Sequence, residues 1–414
     1  MRVGLGITAL CLLLPACRPQ QAEEATNTEA PPPQPRVIPW DLPTSAGAAS
    51  PDLRIAPDGR VLLGWLQADG KDAHRFVFAT ADAKGAWLHA PRVIAGDRPL
   101  YANWADTPHL IATADGALWA HWLQRTGKGG GAYDVMLARS MDEGRSWSAD
   151  VAVNDDGTEA EHGFATLWPE GRDRIGIAWL DGRNAAGHGH HGGGRMTLRT
   201  TTFDGSLARS DERELDASTC DCCQTTSAMI KGEPMLAWRD RSDDEIRDIV
   251  IARRKGGTWQ SEQAVHADGW HIAGCPVNGP ALASLEGRVL IGWYTGAGDV
   301  PRVRIAMGDG DGFGPMHEVA TGADVLGRVA VALDAKQAWI AWLRETDGRQ
   351  SLMLARYAPD LGREIERIEV AGLQSRGRAS GFPKLVSDGR AASLVWTDVE
   401  NGAAVLRGAR IRAD

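Results

Sequence analysis

The chain is poor in several features that define classes of protein. Only six of its 414 residues are cysteine, too few for a scaffold built on disulfides. Beyond one short run at the N-terminus, no segment is long and apolar enough to cross a bilayer. Basic residues number 45 against 54 acidic ones, and the net charge of -9 argues against a nucleic-acid partner. A hydrophobic core must therefore carry the fold.

The N-terminus has the pattern of an export signal. Arg2 is followed by a short apolar run ending in LPAC, which is similar to a bacterial lipobox with Cys17 as its lipidated cysteine. This predicts a lipoprotein signal peptide over residues 1–16 and a lipidated, disordered tether over residues 17–35. An ordinary signal peptide is the alternative. Because Arg18 rather than aspartate follows the cysteine, the expected location is the outer membrane facing the periplasm, with membrane contact through the lipid alone.

Tryptophan is abundant, with 16 residues, and it recurs in a pattern. A short β-type run that ends in tryptophan appears seven times, at intervals of 49 to 59 residues. The copies end at Trp65, Trp122, Trp179, Trp238, Trp293, Trp342 and Trp396. Asp-Gly turns or their equivalents precede the copies, and a second strand-like run such as MLARS or VIARR follows most of them. The period is that of a four-stranded propeller blade.

The repeat predicts an all-β fold, a β-propeller of seven four-stranded blades over residues 36–414. Six blades is the alternative if one weak unit is not a blade. The last unit ends one strand short, so we expect the segment that begins at Arg36 to complete the last blade and close the ring. No helical periodicity competes with this pattern.

One turn carries a known motif. Ser140, Asp142, Gly144 and Trp147 match S-x-D-x-G-x-x-W, the Asp-box, and residues 80–87 look like a degenerate copy. In this turn the aspartate can accept backbone hydrogen bonds while the tryptophan packs between sheets. On these residues the chain resembles the bacterial sialidase-like BNR/Asp-box propeller family over essentially its whole mature length.

The resemblance implies an exo-α-sialidase, a glycoside hydrolase that removes terminal sialic acids with three arginines, a Tyr–Glu pair and an aspartic acid. Arg54 lies where the family's Arg-Ile-Pro arginine would be, although Ala56 replaces the proline. Arginine suits a sugar carboxylate because it can bind both oxygens. The other candidate catalytic residues are Arg239, Arg302, Arg328 and Tyr294. No motif places them together, and the tyrosine has no evident glutamate partner.

The most distinctive segment is TCDCCQTT, which carries Cys220, Cys222 and Cys223, while Cys275 follows in WHIAGCPVNGP. Both segments lead into innermost strands of neighbouring blades, so we expect them at one mouth of the central channel. The other residues expected at this mouth are His162, His271, Asp181, Arg239 and Asp240. We interpret Asp181 and Asp240 as blade-end ion pairs rather than as acid/base catalysts.

Three interpretations of the cysteines stay open. Disulfides would tie blade four to blade five, with a bond to Cys275 as the easier choice. Thiolates with His271 would instead bind a soft metal, copper ahead of zinc. A redox-active pair is the third interpretation, without a thioredoxin-like context. The accessory metal candidates are His162, His188, His190 and His191.

The sequence therefore predicts an exported, lipid-anchored propeller, expected to be a monomer, that binds a small ligand, a metal ion or a glycan at one channel mouth. A copper-type metal site is the expected cofactor. The alternatives are a glycoside hydrolase of the sialidase type and an interaction scaffold stapled by disulfides.

Overall fold

The computed structural model describes residues 1–4, 36–126, 131–185 and 194–412. Seven antiparallel sheets form a β-propeller, which confirms the predicted all-β fold and its seven blades. Within the described ranges, the only helices are two short 3-10 turns, Ala297–Asp299 and Gly377–Ser380. No helix of this part of the chain has the length and apolar character that a membrane span needs.

Strand β1 (Arg36–Pro39) precedes the first blade. Blade 1 contains β2 (Ala48–Ile55), β3 (Val61–Ala68), β4 (His74–Ala81) and β5 (Arg92–Ala95). Blade 2 contains β6 (His109–Ala112), β7 (Leu118–Arg125), β8 (Tyr133–Ser140) and β9 (Val151–Ala152). Blade 3 contains β10 (His162–Glu170), β11 (Arg174–Asp181), β12 (Thr197–Phe203) and β13 (Arg209–Asp216).

Blade 4 contains β14 (Thr226–Ile230), β15 (Glu233–Arg239) and β16 (Ile249–Lys255), and its outer edge is divided between β17 (Thr258–Trp259) and β18 (Gln263–Ala264). Blade 5 contains β19 (Ala281–Leu285), β20 (Arg288–Thr295), β21 (Arg302–Gly308) and β22 (His317–Thr321). Blade 6 contains β23 (Val325–Leu333), β24 (Ala338–Thr346), β25 (Arg349–Tyr357) and β26 (Glu364–Leu373). Blade 7 contains β27 (Lys384–Ser387), β28 (Ala391–Glu400), β29 (Ala403–Arg412) and β1.

The ring closes as the sequence predicts, because β1 is the outermost strand of the last blade. It pairs antiparallel with β29, with Val37 opposite Ile411. Just after β1, the ring of Trp40 stacks on Trp87 of blade 1 at 4.9 Å, and its indole N–H donates to the Gly85 carbonyl at 2.9 Å. The N-terminal strand therefore joins the last blade to the first.

The repeated tryptophans are the core of the blades. All seven lie on the second strand of their blade and are buried. In three of them the indole N–H donates a hydrogen bond to a carboxylate. Trp179 donates to Asp181 at 2.8 Å, and Trp293 donates to Asp268 at 2.8 Å. In these three blades the tryptophan provides apolar area while the carboxylate fixes its orientation.

The turn between β8 and β9 is held by side-chain hydrogen bonds. Asp142 accepts the Ser146 backbone N–H at 2.9 Å, and Ser140 accepts the N–H of Gly144 at 2.9 Å. Gly144 has φ +75°, and a Cβ there would collide with the ring of Phe78. The ring of Trp147 meets Phe78 edge-on at 6.2 Å. This turn therefore ties blade 2 to blade 1.

Candidate functional site

The order of the strands in each blade determines which loops lie at the same end of the central channel. In each blade the chain runs from the innermost strand outwards, so the segments that enter innermost strands share one end of the channel with the loops between second and third strands. The segments with Cys220 and Cys275 lie at this end, as predicted. The turn at Asp142 joins a third strand to a fourth and therefore lies at the other end.

A cavity of about 110 Å³ lies on the propeller axis and is lined by residues from all seven blades. Polar and apolar groups both contribute to the lining, with the polar surface the larger. Its ionisable residues are Asp52, Arg54, Asp106, His109 and Lys384. These five side chains, which we call the axial cluster, are the candidate site because ionisable groups in a protein interior are costly unless they are paired or used.

Bulges in the innermost strands set the positions of these groups. The register of β2 shifts between Ala49 and Asp52, where Ser50 has φ +52°. The register of β10 shifts after Gly163, where Phe164 has φ +49°. A bulge re-aims the groups next to it, and both bulges lie beside residues that line the cavity.

Asp52 orients His109. One carboxylate oxygen of Asp52 accepts from His109 Nδ1 at 2.9 Å and from Arg54 Nε at 3.3 Å, and the other accepts the Leu110 backbone N–H at 2.9 Å. Burial would raise the pKa of Asp52, but Arg54 and His109 outweigh it and hold that pKa well below its usual range. Burial lowers the pKa of His109. The imidazole is therefore neutral at pH 7, with Nδ1 donating to Asp52 and Nε2 left as a proton acceptor.

Asp106 and Lys384 are the less satisfied members of the axial cluster. One oxygen of Asp106 accepts the Phe164 backbone N–H at 2.7 Å, and the other has no hydrogen-bond partner among the described residues. Asp106 is 2% exposed, and burial raises its pKa to about 7. Lys384 Nζ reaches Thr107 Oγ1 at 3.5 Å, and burial lowers the pKa of Lys384 to about 8. Near neutral pH the cavity thus contains an acid that is partly protonated and a lysine close to losing its charge.

The cavity can bind a small anionic group and exchange a proton with it. When Asp106 is protonated, the charge of Asp52 offsets only one of the two cations, Arg54 and Lys384. The cavity volume of about 110 Å³ is small beside the roughly 300–1,000 Å³ of pockets that enclose a whole small-molecule ligand. It therefore suits a carboxylate group rather than a whole sugar ring, and the rest of a larger ligand would have to lie outside it.

The four mouth cysteines form two disulfides, Cys220–Cys223 and Cys222–Cys275, with Cα separations of 5.7 Å and 6.1 Å. The second bond joins the segment that enters blade 4 to the one that enters blade 5, as the disulfide interpretation expected. Cys220, Cys222 and Cys223 place their sulfurs within 4.8 Å of one another. Neither Cys275 nor His271 belongs to that group, so the predicted five-ligand set is not assembled in this form of the protein.

Arg239 braces the mouth rather than facing a ligand. It is 1% exposed, and its guanidinium donates to the carbonyls of Asn278 at 2.8 Å, Arg247 at 2.6 Å and Tyr294 at 2.7 Å. The guanidinium lies 4.8 Å from the ring of Trp270. Its own carbonyl accepts the backbone N–H of Cys220 at 3.0 Å. Arg239 thus lies beside the cysteines, as predicted, but all of these contacts are structural.

The other residues predicted for a sialidase site also make structural contacts, and they lie in different places. Arg328 lies 4.9 Å from the ring of Trp104 and donates to the Gly377 carbonyl at 2.7 Å. Arg302 is on the third strand of blade 5 and pairs with Glu318 at 3.1 Å. The five candidates therefore do not form the expected group, and within the described part of the chain only Arg54 lines the axial cavity. Tyr294 instead packs edge-on against Trp270 at 5.5 Å.

His162 belongs to a different cluster from the cysteines. Its Nε2 lies 3.0 Å from Asp156 and 3.8 Å from Asp181. Arg183 pairs with both carboxylates, at 3.2 Å and 2.8 Å, so the ion pair expected for Asp181 is present. The arginine supplies the charge that a metal ion would otherwise provide. The loop candidates His188, His190 and His191 lie outside the described residues.

Asp240 departs from its expected ion pair. It accepts the backbone N–H of Arg241 at 2.6 Å, while the Arg241 side chain pairs with Asp221 at 3.2 Å and Glu245 at 2.6 Å. Burial raises the pKa of Asp240 to about 6, and nearby Asp216 adds to the shift. Arg241 therefore forms its ion pairs with Asp221 and Glu245 rather than with Asp240.

The sequence reasoning missed Asp52, Asp106, His109 and Lys384. Alternation along β2 places Asp52 and Arg54 on the same face, which was a usable signal. The others lie where the chain enters blades 2 and 7, in ADTPHL and FPKL. Aligning the seven entry segments would have exposed these polar positions.

Comparison with known proteins supports the fold. No family model and no curated protein matches the chain. A protein of unknown function from Dyadobacter fermentans DSM 18053 is similar in structure, with a TM-score of 0.53, 12% identity, and coverage of 92% of this chain and 99% of that one. The polysaccharide lyase Uly1 has a TM-score of 0.52, 8% identity, and coverage of 90% and 91%. The endosialidase of phage phi92 has a TM-score of 0.50, 9% identity, and coverage of 92% and 69%.

Proposed function

We propose that the protein binds an acidic carbohydrate, with a carboxylate of the sugar entering the axial cavity. The observation that supports this most strongly is that Arg54 and Lys384 line one small cavity together with Asp106, one oxygen of which has no hydrogen-bond partner in the described part of the chain. Two proteins with the same fold, Uly1 and the phi92 endosialidase, are named for action on carbohydrates.

The groups have complementary tasks in this proposal. The two cations attract the carboxylate, and protonated Asp106 donates a hydrogen bond to it. Neutral His109, held by Asp52, is a proton acceptor in the same cavity. Since an acid and a base are both present, bond cleavage is the activity to test beside binding.

The test is a titration of acidic and neutral oligosaccharides into the protein at pH 6. We expect binding of the acidic set, weakened roughly 10- to 100-fold by Lys384→Gln, because a hydrogen bond to a charged group contributes about 1.5–3 kcal/mol. Lys336→Gln is the matched control, since Lys336 is exposed in a turn at the other end of blade 6. Equal affinity for neutral sugars, or no binding of any acidic glycan, would overturn the proposal.

Activity is measured on the same samples. Hydrolysis and lyase cleavage both release reducing ends, but only a lyase also creates an unsaturated, ultraviolet-absorbing product. Release of sialic acid from a fluorogenic sialoside, lost on Arg54→Ala, would favour the sialidase alternative and the family resemblance carried by the Asp142 turn.

A copper-type metal site is a second candidate, favoured by the three sulfurs that lie within 4.8 Å of one another. Thiolates suit copper(I), but bonded cysteines offer no thiolate, so we expect binding after reduction only. The measurement is bound copper and zinc per chain together with free thiols. About one metal in the reduced protein, lost in a Cys220→Ser/Cys275→Ser variant, would support the site, whereas no metal in either form would exclude it.

We infer a lipid anchor and an envelope location from the N-terminal pattern. Labelled fatty acid should be incorporated into the chain and lost on Cys17→Ser. Light scattering of the unlipidated form tests the expected monomer.

A further inference from the structure

We propose that the four mouth cysteines form a thiol–disulfide relay that exchanges with an external dithiol. This activity is independent of carbohydrate binding. Cys220 and Cys222 belong to different disulfides, yet their sulfurs lie 4.0 Å apart. The spacing of the two residues in the chain already brings these sulfurs near each other, and exchange requires that the Cys222 sulfur, once released, turn into line with the Cys220–Cys223 bond.

The two bonds differ in access. Cys275 is exposed and Cys222 is half-buried, whereas Cys220 and Cys223 are each 1% exposed. An external thiol therefore reaches the outer bond, Cys222–Cys275, before the inner one. The inner bond is reached through Cys222.

The guanidinium of Arg247 lies beside Cys220, the residue whose sulfur the Cys222 thiolate attacks. Arg247 is 3% exposed and directs Nη1 to the sulfur of Cys220 at 3.7 Å. Its Nη2 and Nε hold Glu245 at 2.7 Å and 3.1 Å, which fixes the guanidinium plane. Negative charge spreads over the three sulfurs during exchange, and a cation beside the central sulfur stabilises it.

The exchange proceeds in balanced steps. A thiolate of the dithiol attacks the sulfur of Cys275, the Cys222–Cys275 bond breaks, and Cys222 leaves as a thiolate. The second thiol of the reagent displaces Cys275, which takes up a proton, and the reagent departs as a disulfide. The Cys222 thiolate then attacks Cys220, the Cys220–Cys222 bond forms, and Cys223 leaves and takes up a proton. One dithiol is oxidised, and one of the two protein disulfides is reduced.

The product differs from that of simple reduction in the positions of its thiols. After the relay the thiols are at Cys223 and Cys275, and the segment entering blade 4 is released from blade 5. If the bonds are staples, the same reductant leaves thiols at Cys222 and Cys275 and the inner pairing unchanged.

The test treats the oxidised, exported protein with one equivalent of dithiothreitol, quenches with an alkylating agent and locates the modified cysteines by fragmentation mass spectrometry. Cleavage before Asp221 separates Cys220 from the Cys222–Cys223 pair. We expect a substantial fraction with Cys220 bonded to Cys222. Native pairing alone at all times would overturn the relay.

Variants give a second test of the attack of Cys222 on the Cys220–Cys223 disulfide. Cys275→Ser removes the native partner of Cys222, and we expect the Cys220–Cys223 and Cys220–Cys222 pairings to coexist, with the third cysteine as a free thiol in each. Arg247→Gln should slow exchange in the otherwise native protein roughly tenfold, the effect of about 1.4 kcal/mol of charge stabilisation. Arg241→Gln is the control, because Arg241 pairs with the same Glu245. Equal slowing in both variants would remove the role assigned to Arg247.

Discussion

Asp106 shows how much a residue's chemistry depends on its surroundings. A carboxyl group in water is ionised above pH 4, but this one is buried, accepts one backbone N–H from Phe164 and leaves its second oxygen without a partner among the described residues. Gly163 permits the close approach, since a Cβ there would collide with the carboxylate. The same side chain at the surface would have no special acidity.

Asp106→Asn should change how stability depends on pH. The pKa of Asp106 is raised in the folded state, so the wild type has its full contribution at low pH and loses it as pH rises from about 4 towards about 7. The loss is up to roughly 4 kcal/mol, because the folded-state pKa of about 7 lies far above that of a carboxyl group in water. We therefore expect the variant to gain stability relative to wild type between pH 5 and pH 8 in urea unfolding. A constant difference over this range would contradict the raised pKa.

At the scale of the element, the two cysteine segments are held by Arg239 as well as by the Cys222–Cys275 disulfide. Arg239 ends β15 and donates to carbonyls of three other segments, at Asn278, Arg247 and Tyr294. Asn278 in turn accepts the backbone N–H of Arg328 with its side chain at 2.7 Å. The mouth between blades 4, 5 and 6 is therefore joined by hydrogen bonds to backbone.

Arg239→Met should destabilise the fold by about 3–5 kcal/mol, because three buried carbonyls lose their donor. The measurement is the free energy of unfolding in denaturant. Arg302→Met is the comparison. Arg302 pairs with Glu318 and donates to the Ala297 and Val300 carbonyls, but it is more exposed, so water can replace these partners and we expect a smaller loss than for Arg239→Met. Loss of ligand binding with unchanged stability in Arg239→Met would instead restore the sialidase role for this arginine.

At the scale of the whole molecule, closure of the ring depends on β1, a strand from the N-terminal part of the chain. Strand β1 completes blade 7, and Trp40 contacts Trp87 of blade 1. β1 covers the end of β29 from Ala409 to Arg412, which shortens the exposed edge of the last blade, and exposed edges favour aggregation.

Removal of residues 1–40 should lower the free energy of unfolding by more than about 4 kcal/mol, since a buried tryptophan alone contributes about 3–5 kcal/mol. Removal of residues 1–35 is the control and should leave the thermal unfolding midpoint near that of the parent. Equal midpoints for the two truncations would show that the ring does not need β1.

The periodic features were predictable from the sequence because they are local. The run that ends at each tryptophan, the Asp-Gly turns and the strand at Arg36 depend on neighbours along the chain, and they determined the seven blades and their closure. The crowding of Cys220, Cys222 and Cys223 also marked one mouth. Which of these cysteines bonds to Cys275 could not be predicted, because it depends on how two loops are placed relative to each other in the fold.

Only the tertiary structure decided the axial cluster. Asp52, Asp106 and Lys384 come from three blades and are far apart in the sequence, so no local pattern connects them. Their pKa values follow from burial and from the charges that folding brings near them. The sequence alone does not distinguish the four arginine candidates. In the fold Arg239, Arg302 and Arg328 donate to backbone carbonyls, whereas Arg54 lines the cavity. Long-range packing determines solvation, and solvation determines which charged side chains remain available for chemistry.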